Sequence, residues 1–441
     1  MSARAHLAAL AVAAAALLAL GGLAAWAFWP ATPVAVAPVP SSAATPPAAS
    51  AAQLVERGRY LATLGNCQGC HSLPGQAPYA GGTPIATPFG TVYGPNLTPS
   101  AQGLGGWSAD DFWRALHWGQ APDGRWLSPA FPYPNTTHLH RSDSDALFAY
   151  LRSLPPSETP NRPSDVRWPY NTQAALKVWR ALYFRPGLAS GQAQAPAAMD
   201  ELARGRYLVQ GLGHCSACHA PRNRWGGGGD LLALSGGQMV SGWQAPSLLD
   251  PAEAGLQGWA LADAVQLLGQ GRSGPHAVSG PMAEVVAGSL RHWHAADLQA
   301  LAAYLIALPA TPAAPRPTAP SGAGSTARLQ EGQQLYATHC ASCHGDQGQG
   351  WRLGNGQVAY PPLAGNRTVT QALPANLIRI VQEGGFGLAS AQQPHPFSMP
   401  PYLLTLNDES LAALLSYTRS AWGNAAAPVS VLDVHQLRHA P

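Results

Sequence analysis

Cys67-Gln68-Gly69-Cys70-His71, Cys215-Ser216-Ala217-Cys218-His219 and Cys340-Ala341-Ser342-Cys343-His344 are three copies of one five-residue pattern. They consume all six cysteines of the 441-residue chain, so none is left for a structural disulfide. Each copy follows a short helical pattern containing glycine: Arg57-Gly58-Arg59-Tyr60-Leu61, Arg204-Gly205-Arg206-Tyr207-Leu208 and Glu331-Gly332-Gln333-Gln334-Leu335. Glycine inside a helix costs about 1 kcal/mol relative to alanine. One that recurs at the same place predicts the close approach of a second helix. Each copy is followed by an amphipathic helical pattern with an acidic start. These run over Asp143–Leu151, Ala296–Leu305 and Asp408–Tyr417, with Tyr150, Tyr304 and Tyr417 in equivalent positions. The chain therefore reads as a threefold repeat of helical units.

The repeat divides the chain. An apolar segment occupies 1–29, an Ala/Pro linker 30–52, and the first unit 53–157. A connector follows at 158–199, then the second unit at 200–310, a linker at 311–325, the third unit at 326–424 and a tail at 425–441. Leu7 to Trp29 is uncharged over 23 residues, above the roughly 20 needed to span a bilayer. It predicts a transmembrane anchor; the competing reading is a cleaved signal, since Ala25-Trp26-Ala27 resembles a small-residue cleavage site. Either way the rest of the chain faces the periplasm of the bacterial cytoplasmic membrane. The connector carries Ala174 to Phe184, which reads as a bulky packing helix. Only 11% of residues are charged, the net charge is +3 and Lys177 is the single lysine. That excludes a nucleic-acid footprint and a lysine-rich docking ring.

Cys-x-x-Cys-His is the attachment pattern of c-type haem. The i, i+3 spacing sets both sulfurs on one helical face, and the next residue offers an imidazole beneath the iron. A redox dithiol or half of a zinc site would use the same cysteines, but neither explains histidine following three times in a repeated helical unit. The expected cofactors are three covalently bound haem c groups. Cys67, Cys70, Cys215, Cys218, Cys340 and Cys343 would attach them, with His71, His219 and His344 as proximal iron ligands.

A sixth ligand of this class is commonly a Met thioether. Met282 in Gly280-Pro281-Met282 and Met399 in Ser398-Met399-Pro400 sit between motif and closing helix, flanked by prolines that stiffen the loop. Met199 and Met239 read as structural. The first unit has Phe131 where methionine is expected, so its iron is either five-coordinate or bound by a second histidine, with His138 or His140 as candidates. Pro95, Pro246 and Pro361 each open a Pro-x-Leu sequence after a motif. A proline carbonyl keeps its acceptor, so these three are expected to receive the Nδ1–H of the motif histidines.

With those residues in view, the chain resembles the triheme cytochrome c subunits of membrane-bound periplasmic dehydrogenases, the alcohol and gluconate 2-dehydrogenase group, over residues 53–424. The likeness rests on Tyr79–Ile85, Thr87–Tyr93, Asn96–Pro99, Trp168–Asn171, Gly242–Pro246 and Pro361–Asn366. It implies an all-α architecture of three tandem class I cytochrome c domains behind the anchor. It also implies electron relay from a separate catalytic subunit, flavin- or quinoprotein-based, to ubiquinone or a terminal oxidase. Phe131 also resembles cytochrome subunits that partner molybdenum hydroxylases. No catalytic triad, phosphate loop or nicotinamide fingerprint is present, so no substrate-level catalysis is expected. Two rival readings are a peroxidase-like haem enzyme using an open first iron, and a terminal-oxidase cytochrome c subunit.

Overall fold

The computed structural model describes residues 50–187, 199–311 and 326–439, apart from 355, 357 and 390–395, with scattered positions between 12 and 34. Packing divides the chain into two compact units. The first is Met1–Arg59 with Cys70–Ala195; the second is Tyr60–Gly69 with Pro196–Pro441.

The recurring glycines are helix crossings. Helix Ala51–Leu64 meets Arg141–Arg152 at Gly58, where an added Cβ would overlap the Ala146 carbonyl and Tyr150 Cβ. Helix Glu201–Gln210 meets Ala295–Ala307 at Gly205, against Ala300 and Tyr304. Helix Thr326–His339 meets Asp408–Ser420 at Gly332, against Ala413 and Tyr417. The three equivalent tyrosines are thus the residues that cover the three glycines. An arginine beside two of these glycines also reaches the first turn of the closing helix. Arg57 pairs with Asp143, and Arg204 grips Asp297 with both Nε and Nη2, at 2.7 and 2.9 Å. The third repeat has Glu331 and Ser410 at these places, 3.4 Å apart.

In the first unit, the ribbon Pro84–Thr87 with Gly90–Tyr93 is extended along its edge by the connector. Asp165 N–H donates to Thr91 O at 2.8 Å and Arg167 N–H to Phe89 O at 2.9 Å. Helix Ala109–Trp118 starts in a Ser108/Asp111 capping box and stops at left-handed Gly119, as such signals dictate. The connector helix Gln173–Tyr183 sets the Arg180 guanidinium over Trp126, 3.9 Å from the ring centroid, and over Phe184 at 4.5 Å.

In the second unit, the third repeat builds its core from Tyr336, Ile378, Leu411, Leu414, Leu415, Val429 and Val434. Each fully buried aliphatic side chain there stabilises by about 1.5–3 kcal/mol. Val434 lies on helix Val431–Arg438, part of the segment that reads as a tail from sequence. It is capped by Ser430 and tied by Arg438 to Asp408 and the Leu406 carbonyl. Arg419 is buried; its Nη1 donates to Val369 O and Gln371 O at 2.7 and 2.9 Å, and its Nε to Ala427 O at 2.6 Å.

The expected fold class needs two corrections. The chain is not all-α: helix accounts for 45% of it, and five two-stranded antiparallel ribbons punctuate the described residues. Gly and Pro, 47 and 42 in number, break helices and favour turns and extended segments. The transmembrane anchor is also withdrawn: no described helix is long and apolar enough to cross a membrane. Most of 1–29 and of the two linkers lies outside the described residues. The longest helical run described there, 25–28, falls short of the roughly 20 residues that a span needs.

Candidate haem centres

Each Cys-x-x-Cys-His motif forms one short helical turn: Cys67–His71, Ser216–His219 and Ala341–His344. Against each lies an extended strand ending in the expected proline. Two missing side chains permit this close approach. A Cβ on Gly94 would strike the Cys70 carbonyl, and one on Gly237, in the strand paired with Gln244–Ala245, the Cys218 carbonyl. The strand's proline carbonyl then accepts the histidine Nδ1–H in all three: His71 to Pro95 O at 2.8 Å, His219 to Pro246 O at 2.8 Å and His344 to Pro361 O at 2.9 Å. The expected proline-carbonyl contacts are therefore found at all three motifs.

Burial lowers the pKa of all three imidazoles, opposed by the proline hydrogen bond. Each is neutral, and with its proton on Nδ1 it keeps the Nε2 lone pair for a metal. No two of the six cysteines are joined in a disulfide. Burial, with Cys218 beside it, pushes Cys215 up to about 12, and burial, with Cys343 beside it, pushes Cys340 up to about 11. At both, burial disfavours the thiolate form that a redox dithiol uses. Among the described residues no group of three or more His, Cys, Asp or Glu could hold a bare metal ion. An imidazole, two thiols on one helical face and no further hard ligands fit a metal carried in its own macrocycle. The residues present fit haem c.

The third centre has an added support. Tyr336 O–H donates to Gly345 O at 2.6 Å, directly after His344, and the Tyr336 ring packs on Trp422 at 4.7 Å. Sequence inspection missed this tyrosine, although it stands four residues after Gly332 on the crossing face of its helix.

Met399 lies in a ribbon strand, paired with Gly385. Gly384, at φ +73, backs that strand: a Cβ there would sit 2.5 Å from Met399 O. Met282 opens helix Pro281–Gly288, after Gly280 at φ +53. Met239 N–H donates to Trp243 O at 2.8 Å in a tight turn, and Met199 precedes helix Glu201–Gln210. In the first unit His140 is buried at the N-cap of helix Arg141–Arg152, and the His138 ring lies in the hollow left by Gly187. Phe131 packs toward Tyr133, ring centroids 6.4 Å apart.

Two further contacts join segments of the second unit distant in sequence. Gly65 O, two residues before Cys67, lies 3.3 Å from His214 Nε2, which precedes Cys215. Tyr60 O–H donates to Asp297 at 2.7 Å while its ring stacks on His294 at 3.7 Å.

The comparisons with known proteins meet this geometry. A family model described as cytochrome c matches residues 55–155 and 329–422, which sets the class. The chain is 36% identical to the cytochrome c subunit of alcohol dehydrogenase (quinone) from Gluconobacter oxydans (strain 621H), covering 87% of this chain and 82% of that one. It is 38% identical to the gluconate 2-dehydrogenase cytochrome c subunit of Pantoea cypripedii, covering 87% and 89%. It is 32% identical to the fructose dehydrogenase cytochrome subunit of Gluconobacter japonicus, covering 91% and 84%. The chain belongs to this family of dehydrogenase cytochrome c subunits. Membership implies covalently bound haem c and a role in electron transfer.

Proposed function

We propose that the chain carries three haem c groups and relays electrons from the catalytic subunit of a dehydrogenase to ubiquinone or a terminal oxidase, with no substrate chemistry of its own. When bound, haem c supplies one-electron Fe(III)/Fe(II) cycling at a potential tuned by its ligands and surroundings. The protein's part is to hold and orient. Cys67 and Cys70, Cys215 and Cys218, and Cys340 and Cys343 attach the three groups. His71, His219 and His344 ligate from the proximal side, each fixed by its proline carbonyl. Met282 and Met399 would supply the sixth ligand at the second and third centres, and His138 or His140 that at the first.

The observation that carries this reading is the threefold Nδ1–H···O=C contact of Pro95, Pro246 and Pro361, made identically at three places. The partner follows from the relatives' names, whether its own cofactor is flavin, quinone or molybdenum. The place is the periplasmic side of the bacterial cytoplasmic membrane, supported by the apolar Leu7–Trp29 stretch read as an export signal. The test is purification of the chain with its neighbours from membranes. An attached dehydrogenase whose substrate reduces the haems, with reoxidation by a ubiquinone analogue or an oxidase, supports it. Isolation without such a subunit, together with rapid reaction of the ferric protein with peroxide, overturns it.

A further inference from the structure

The second and third repeats meet within the second unit, and the meeting point is not polar surface but the two methionine loops. Trp243 lies at its centre, 7% exposed. It sits in the turn Met239–Pro246, whose Pro246 carbonyl holds His219. On one side the indole fills the hollow left by Gly280; a Cβ there would lie 2.6 Å from its Cη2 and 2.7 Å from its Cζ3. Gly280 is two residues from Met282, and its φ of +53 is a conformation that favours glycine. On the other side the indole Nε1–H donates to Glu383 Oε2 at 3.3 Å. Glu383 ends helix Ala375–Glu383 and is followed by Gly384, which backs the Met399 strand.

Neighbouring bonds keep this arrangement from sliding. Gln244 N–H donates to Asn376 Oδ1 at 2.9 Å, and Asn376 Nδ2–H returns to Gln244 O at 2.8 Å. Arg379 Nη1 donates to the other Glu383 oxygen at 2.8 Å. Arg272 Nη2 donates to Leu388 O at 2.7 Å, in the loop between Gly385 and Met399. One buried side chain therefore touches the backbone that presents Met282 and is bonded to the residue at the hinge of the loop that presents Met399.

We propose that Trp243 is a positioning residue that braces both methionine loops, so that axial ligation at the second and third centres is set jointly. The proposal rests on the reading of Met282 and Met399 as iron ligands. Thioether ligation raises the potential, and partners beyond the ligands tune it. A brace shared by two ligand loops makes the two potentials respond together.

The experiment is a double-mutant cycle on the full-length holoprotein, with Trp243→Phe, Glu383→Ala and the double variant. Phe keeps a ring at this position but cannot donate and lacks the outer indole edge that fills the Gly280 hollow, while the exposed Glu383 carries the acceptor of the same link. The readouts are redox titration of each haem and the near-infrared methionine-to-iron charge-transfer band. The expected result is that each single variant shifts the potentials of both the second and third centres and leaves the first unchanged. The double variant then adds little beyond Trp243→Phe alone, because that substitution already removes the bond that Glu383 accepts. Shifts confined to the centre on the mutated residue's own repeat, or fully additive shifts, overturn the brace. A wild-type protein lacking the charge-transfer band overturns the methionine reading itself, a separate failure visible before any substitution is made.

Discussion

Gly332→Ala separates two opposing effects by sign. If Gly332 were an ordinary helical glycine, alanine would stabilise the helix by about 1 kcal/mol. The structure predicts the reverse. The new Cβ would lie 2.8 Å from the carbonyl carbon of Ala413 and 2.8 Å from Tyr417 Cβ, and closer still to the Ala413 oxygen. These are backbone and stem atoms, which cannot swing aside. Ordinary contact begins near 3.4 Å, so the two helices must part by more than half an ångström. A gap of that size forfeits a quarter or more of the dispersion attraction across it, at a crossing where Tyr336 packs against Tyr417. Overpacking of this kind costs about 1–3 kcal/mol, and immovable backbone puts it at the upper end. After the propensity gain, a net loss of about 2 kcal/mol remains, or roughly 10 °C in the melting temperature of a domain near a hundred residues. Tyr336 rides on the same helix and bonds Gly345 beside His344, so the third haem's absorption should shift as well. The assay is calorimetric unfolding of the holoprotein, with exposed Gln333→Ala as a control expected within about 0.5 kcal/mol of wild type. A Gly332→Ala protein as stable as wild type, or more so, would refute the crossing argument.

Further outcomes follow from other contacts. Burial acts to raise the Asp297 carboxyl, but bonds from Arg204 and Tyr60 outweigh it and hold its pKa below the usual 3.8. A depressed folded pKa gives stability that is complete above the ordinary carboxylate value and lost as pH falls through the folded one. Asp297→Asn should therefore flatten the acid limb of a stability–pH profile below about pH 4; an unchanged limb would remove Asp297 from that role. Arg419→Leu strands the carbonyls of Val369, Gln371 and Ala427, each at about 1–3 kcal/mol, so chemical denaturation should show a loss of at least about 3 kcal/mol; a loss under about 1 kcal/mol would show the carbonyls find other partners. His138→Ala and His140→Ala should differ in the ferric spectrum, with the ligating one turning the first haem high-spin. If neither changes it, the first iron takes no second histidine from this pair.

The parts of the site that were legible in the sequence are those set by short spacing. Cysteines at i and i+3 with histidine next, glycines at fixed offsets and Pro-x-Leu segments each act over a few residues, and the structure finds their partners where local geometry puts them. Gly58, Gly205 and Gly332 were readable because only a close approach explains a repeated helix-weakening residue. Long-range placement was not legible. Nothing near Trp243 announces Glu383, which is 140 residues away, and Val431–Arg438 carries almost no amphipathic signal although Val434 is buried. The ribbons were missed because strands of two to four residues are too short for alternation to stand out.

Everything proposed for the relay rests on porphyrin iron being anchored at three histidines. Denaturing mass spectrometry of the purified protein, followed by peptide mapping, tests that directly. The account predicts a mass excess of three haem groups, distributed one each to the peptides containing Cys67 and Cys70, Cys215 and Cys218, and Cys340 and Cys343. A chain whose three cysteine pairs are recovered as unmodified thiols or as disulfides would contradict it.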